Sequence, residues 1–131
     1  MTPPSCGLVL APRRLVAVVL GPGGGARHAI RTALTDDGRN GLVAYLANAG
    51  AEIVAPEALV RTDPVAQYAL AAGLVVWVAP GALVAAVSRA AAITDPARIA
   101  AMLARLPRIP LMSPQLRRLT VVAEPRQVPL L

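Results

Sequence analysis

Residues 64–88 contain no Asp, Glu, Lys or Arg. An uncharged run of that length could cross a bilayer as one helix, which needs about 20 apolar residues. Its interior points elsewhere. Gly73 and Pro80-Gly81 cut the run into three pieces, and Gln67 sits inside the first. Glycine and proline punctuate regular structure, so the run is expected to fold as helix, strand and helix around a buried core. The middle piece, residues 74–79, is apolar almost throughout, as in a strand covered on both faces. The other apolar run, residues 15–20, stops at Gly21-Pro22-Gly23 and is too short for the apolar region of a secretory leader.

A core made from this chain has to be built of small side chains. Hydrophobic residues are 56% of the 131, yet Phe is absent and Trp77, Tyr45 and Tyr68 are the only aromatics. The length suits one domain. All thirteen basic side chains are Arg against seven acids, giving a net charge of +6. Such an excess steers a protein towards polyanions without selecting one. Cys6 is the single cysteine, which excludes an intrachain disulfide and a cysteine metal site and fits a cytoplasmic location.

Along the chain, residues 7–11 and 15–20 read as antiparallel strands joined by the basic turn Pro12-Arg13-Arg14, and residues 21–25 as a glycine-rich connection. Residues 27–34 alternate as a third strand, with His28, Ile30, Thr32 and Leu34 on one face and arginines on the other. Thr35-Asp36-Asp37 caps a helix whose stripe is Leu42, Val43, Leu46 and Ala47. A strand over 52–55 follows, then a helix opened by Asp63-Pro64. Pro80-Gly81 opens a helix to about Ala90, and Asp95-Pro96 opens another through Ile99, Met102, Leu103 and Leu106. Pro107, Pro110 and Pro114 then break the pattern before a possible edge strand over 119–123 and a tail over 124–131. The expectation is an α/β domain over 1–106 with a proline-rich extension over 107–131. Its sheet is mixed, an antiparallel meander followed by parallel strands, with helices on its faces.

That order is the one found in ribonuclease H-like domains. The pieces Gly41-Leu42-Val43-Ala44-Tyr45-Leu46, Ala69-Leu70-Ala71-Ala72-Gly73 before Val75-Val76-Trp77-Val78-Ala79-Pro80, and Ile93-Thr94-Asp95-Pro96 before Ala97-Arg98-Ile99-Ala100 carry a more specific likeness. They resemble the RuvC-like N-terminal domain of bacterial insertion-sequence transposases of the Asp-Glu-Asp-Asp type, over about residues 7–106. The resemblance implies four carboxylates holding two metal ions for phosphodiester cleavage. The first acid falls where this chain has Ala11-Pro12, the second near Glu57, and the final pair on Asp95 and Arg98. Two-metal cleavage needs several converging carboxylates, and Arg98 would repel the ions. No catalytic residue, metal or cofactor is therefore expected, with Glu57 and Asp95 as residual candidates.

Plainer roles are at hand for the same residues. Asp95 is a sufficient helix cap, and Glu57 is expected as a solvated carboxylate in a loop. His28 has no companion ligand, and Ser5, Cys6 and Ser88 have no histidine base nearby. The glycine-rich residues 21–25 lack the Gly-Lys-Ser/Thr of a phosphate loop. Arg13, Arg14, Arg27 and Arg31 are expected to gather beside the hairpin, with Arg117 and Arg118 as neighbours, where they could touch phosphates without reading bases. The expected function is an inactive module acting through protein contacts as a homodimer, motivated by the apolar content and the leucine-ended tail. Sequence-nonspecific nucleic-acid binding is the alternative, and a metal-dependent nuclease stands behind both. Neither a membrane nor a small molecule is expected as a partner.

Overall fold

The computed structural model describes residues 3–22, 27–91 and 95–120. Strand β1 (Ser5–Ala11) pairs antiparallel with β2 (Arg14–Leu20), and β2 with β3 (Arg27–Ala33), each over the full seven residues. After helix α1 (Asp36–Ala49), β4 (Glu52–Pro56) joins the free side of β1 in parallel. Helices α2 (Glu57–Thr62) and α3 (Val65–Ala71) lead to β5 (Val76–Ala79), which is parallel to β4. Then come α4 (Gly81–Ala91), α5 (Pro96–Arg105) and a short β6 (Arg117–Arg118), antiparallel on β5. The order β3-β2-β1-β4-β5-β6 is the expected mixed sheet of ribonuclease H-like type, a meander followed by parallel strands.

Alternation along the strands builds two cores. Leu8, Leu15, Ala17 and Ile53 face one side, where α1 and α3 cover them with Leu42, Leu46, Val65 and Ala69. Val9, Val16, Val18 and Val54 face the other, under α4 and α5. Local signals start and stop the helices. The Thr35 hydroxyl accepts the Gly38 N–H at 3.0 Å at the head of α1, and Gly50 at φ 66° closes its end in the left-handed region. The uncharged run 64–88 resolves into α3, β5 and α4. Among the described residues, no helix is long and apolar enough to cross a membrane.

The structure corrects the sequence reading in places. Glu57 opens α2 and does not lie in a loop. Six residues are too few for hydrophobic periodicity to register, so this helix left no pattern to find. β6 begins at Arg117 and spans two residues, while residues 121–123 of the expected strand and the tail 124–131 lie outside the described residues, as does most of the glycine-rich connection. Pro107 and Pro114 sit in two 3-10 turns, Leu106–Arg108 and Ser113–Gln115, with Pro110 in the turn between them, and this segment delivers buried Leu116 to the α5 side of the core.

One contact sets the depth of that side. A Cβ on Gly7 would lie 2.6 Å from the Ala100 carbonyl carbon and 2.9 Å from the Ala104 nitrogen, and closer still to the Ala100 oxygen. The backbone of α5 therefore rests directly on that of β1, which requires glycine on the strand and alanine on the helix. The buried Ser5 hydroxyl donates to the Ala104 carbonyl and fixes the same approach from the next residue on that face. Gly7→Ala is expected to cost about 3 kcal/mol, since backbone has to move to admit one methyl. Gly41→Ala, in the middle of α1 with nothing near its added Cβ, should instead stabilise by about 0.5–1 kcal/mol. Urea denaturation of the two variants measures both.

Candidate functional site

Ser5 meets Ala104 and Gly7 meets Ala100, so α5 runs antiparallel to β1. Its first turn, capped by Asp95, thus reaches the C-terminal end of β1, and β4 ends there too at Pro56 with Glu57 next. The two residual candidates are brought to the same end of the sheet. They open helices on opposite faces, however, because α2 packs Leu59 into the α1 side while α5 covers the other.

Each acid is also locally engaged. An Asp95 carboxylate oxygen accepts the Ala97 N–H at 3.1 Å, and Glu57 lies 3.6 Å from Arg61 one turn on. Ala11 ends β1 where the resemblance implies an aspartate, and Arg98 is exposed on α5. The other described acids are elsewhere. Glu52, at the far end of β4, accepts the Trp77 indole N–H at 3.3 Å, and Asp36, Asp37 and Asp63 belong to the α1–α3 side. Among the described residues, no three His, Cys, Asp or Glu side chains come together. Ser5 and Cys6 are interior residues, and burial pushes the Cys6 thiol up to about 12, which keeps it protonated and inert.

The strongest polar cluster escaped the sequence reading. Asp63 is 7% exposed; its two carboxylate oxygens share the Arg39 Nε–H, at 3.0 and 3.2 Å, and one of them also accepts from Nη2 at 2.8 Å. It also accepts the Val65 N–H at 2.9 Å, and the Tyr68 hydroxyl donates to Asp36 at 2.8 Å beside it. The cluster ties α1 to α3. The sequence showed Asp63 only as a helix opener, since its partner lies 24 positions away. Burial alone would raise the Asp63 pKa, but the hydrogen bonds from Arg39 and Val65 and the guanidinium charge more than offset it and hold the carboxyl below its usual range. A lowered folded pKa means that the stabilisation is complete above the unfolded value and is lost as pH falls through the folded one. Asp63→Asn is expected to cost about 3 kcal/mol at pH 7. The gap from the wild type should narrow below about pH 4 in denaturation curves taken across the acid range.

The basic candidates divide. Arg13, Arg14 and Arg31 line one open cleft of about 230 Å³ with Thr32 and Ala33. Arg14 pairs with Ala33 and Arg31 with Val16, so both stand on the α5 face of the sheet. Arg27 pairs with Leu20 at the other end of β3, roughly 13 Å along the strand from Arg31. Arg117 and Arg118 lie on β6 at the opposite edge of the sheet, about 24 Å away across five strand spacings. They are not neighbours of the hairpin, because only strand order, invisible in a linear reading, decides which edge each residue joins. His28 lies on the α1 face as its alternation implied, stacked on Tyr45 with ring centroids 5.8 Å apart.

Arg13 is itself unusual. Its φ of 67° is the only positive value at a non-glycine among the described residues. Pro12 before it is limited to φ near about −65°, so the signs are those of a type II turn, which favours glycine where Arg13 stands. An L side chain there costs about 1–2 kcal/mol.

Compared with models of known protein families and with curated proteins, the sequence matches none. The likeness that the structure supports is one of architecture, an α/β mixed sheet of ribonuclease H-like order with helices on its faces.

Proposed function

We propose that this chain is a catalytically inactive ribonuclease H-like module that acts by contact with other macromolecules, foremost a second copy of itself. The supporting observation is how the acids are used at the C-terminal end of β1 and β4. Ala11 offers a methyl group, Asp95 caps α5, Glu57 faces Arg61, and Arg98 adds positive charge. Two-metal phosphodiester cleavage needs carboxylates that converge on both ions, and these two do not share a face. The likeness to RuvC-like transposase domains is then one of layout with the chemistry lost. Self-association is favoured by exposed apolar side chains, Leu111 at 83% and Tyr45 at 45% among them. Linear and branched DNA incubated with Mg²⁺ or Mn²⁺ should stay intact, and cleavage abolished by Asp95→Ala would overturn the inactive assignment. Light scattering at about 100 μM should give a dimer mass, and a strict monomer removes the self-association.

The arginine cleft favours a second reading, sequence-nonspecific contact with a nucleic-acid backbone through Arg13, Arg14 and Arg31. Arg27, Arg117 and Arg118 would then serve only a ligand long enough to reach the other positions. Backbone strain is kept where a side chain earns it, and Arg13 is strained at the cleft. Arg13→Gly should raise the unfolding free energy by about 1 kcal/mol while reducing the salt slope of duplex binding by about 0.9. Calorimetry and fluorescence anisotropy measure the two effects. Absence of binding at low salt, or binding unchanged in the variant, rules out this role for Arg13.

A further inference from the structure

We propose that a second copy of this chain docks along the outer edge of β3, antiparallel and centred on Ile30, so that the sheet continues from one copy into the next. The proposal names the surface for the self-association above and rests on that reading. β3 is the terminal strand of the sheet, paired with β2 along all seven residues, and no described residue pairs with its other side. An open edge of that length presents a row of backbone donors and acceptors. Bulges and prolines commonly blunt such edges and β3 has neither, while charged residues, the other common device, are present as Arg27 and Arg31.

The two arginines of β3 act as a register selector. Pairing centred on Ala29 would set Arg27 directly opposite the partner's Arg31. Pairing centred on Arg31 would set that residue opposite its own copy. Pairing centred on Ile30 sets Arg31 opposite the partner's Ala29, Arg27 opposite the partner's Ala33, and His28 opposite the partner's Thr32. Both arginine positions then face alanine positions. The nearest like charges become diagonal, about 7–8 Å apart, where solvent and salt weaken their repulsion.

The α1 side of the edge fits the same register. A groove of about 340 Å³ runs between β3 and α1, lined by Ile30, Leu42, Tyr45 and Asp37 among others. Thr32 donates to the Gly38 carbonyl at 3.3 Å, which places exposed Asp37 at the Thr32 end. The partner's His28 arrives opposite Thr32 and so beside this carboxylate, which makes no ion pair among the described residues. At the two-fold axis Ile30 meets the partner's Ile30 against the core that holds Leu42. A foreign strand would have to reproduce this spacing of small, apolar and polar positions, whereas a second copy carries it already. A seam of this kind belongs to the small, reversible class of interface, below about 1,200 Å².

Cysteine placement tests the register. Direct antiparallel partners have Cα atoms about 4.5–5.5 Å apart, within disulfide reach, and only the residue on the axis meets its own copy. Native Cys6 is buried and does not compete. Under mild oxidation, Ile30→Cys should form a covalent dimer, while Ala33→Cys, whose copies lie roughly 20 Å apart, should not. Since Ile30 also packs on the core, a mixture of the single variants His28→Cys and Thr32→Cys provides a second readout. The mixture should cross-link between unlike chains, and neither variant alone should do so. A dimer by light scattering that cross-links at neither position overturns this seam and leaves self-association standing; a monomer overturns both.

Discussion

The approach of α5 to β1 governs the arrangement of this molecule. Helix and strand meet backbone to backbone because Gly7 has no side chain and the facing helix positions, Ala100 and Ala104, have only a methyl. Close packing of this kind excludes water and gives many weak contacts in place of a few large ones. It suits a chain with no Phe and much Ala and Val. The same contact fixes the direction of α5, and direction decides that Asp95 and Arg98 arrive at the C-terminal end of the sheet. A core of larger side chains would hold α5 further from the strand and could not pin its first turn there so closely.

Charge follows from that layout. Of the seven acids in the sequence, the described ones serve capping, ion pairing or an indole hydrogen bond, or lie on the α1 side of the sheet. The most buried of them, Asp63, is neutralised by Arg39 in a bidentate pair that joins α1 to α3. A buried carboxylate persists when paired and hydrogen-bonded in this way, and it then organises helices instead of binding metal. Among the described residues, Arg13, Arg14 and Arg31 make no ion pair and gather in one cleft on the sheet's β3 side.

The two edges of the sheet are unequal. Among the described residues, β6 spans two residues and leaves little to pair with, whereas β3 offers seven in an unbroken row. Self-pairing by the longer edge would use backbone groups that are otherwise left to water, and its arginines would limit the ways of doing so.

Much of the fold is legible in the sequence alone. Alternation at residues 27–33, the cap at Thr35, the Asp95-Pro96 start and the glycine and proline breaks in the uncharged run are local signals, each acting over a few residues, and they marked the meander and most helices correctly. α2 was missed because six residues are shorter than the period that reveals a helix. The site was less legible. Sequence showed that carboxylates are scarce, because residue identity requires no geometry, whereas Ala11 and Arg98 stand at acid positions only as the transposase resemblance implies. Which arginines share a cleft, which acid is buried against Arg39, and that Glu57 and Asp95 open helices on opposite faces were decided only by tertiary structure. Those facts depend on strand order and helix direction, which bring together residues far apart in the chain and leave no trace in local spacing.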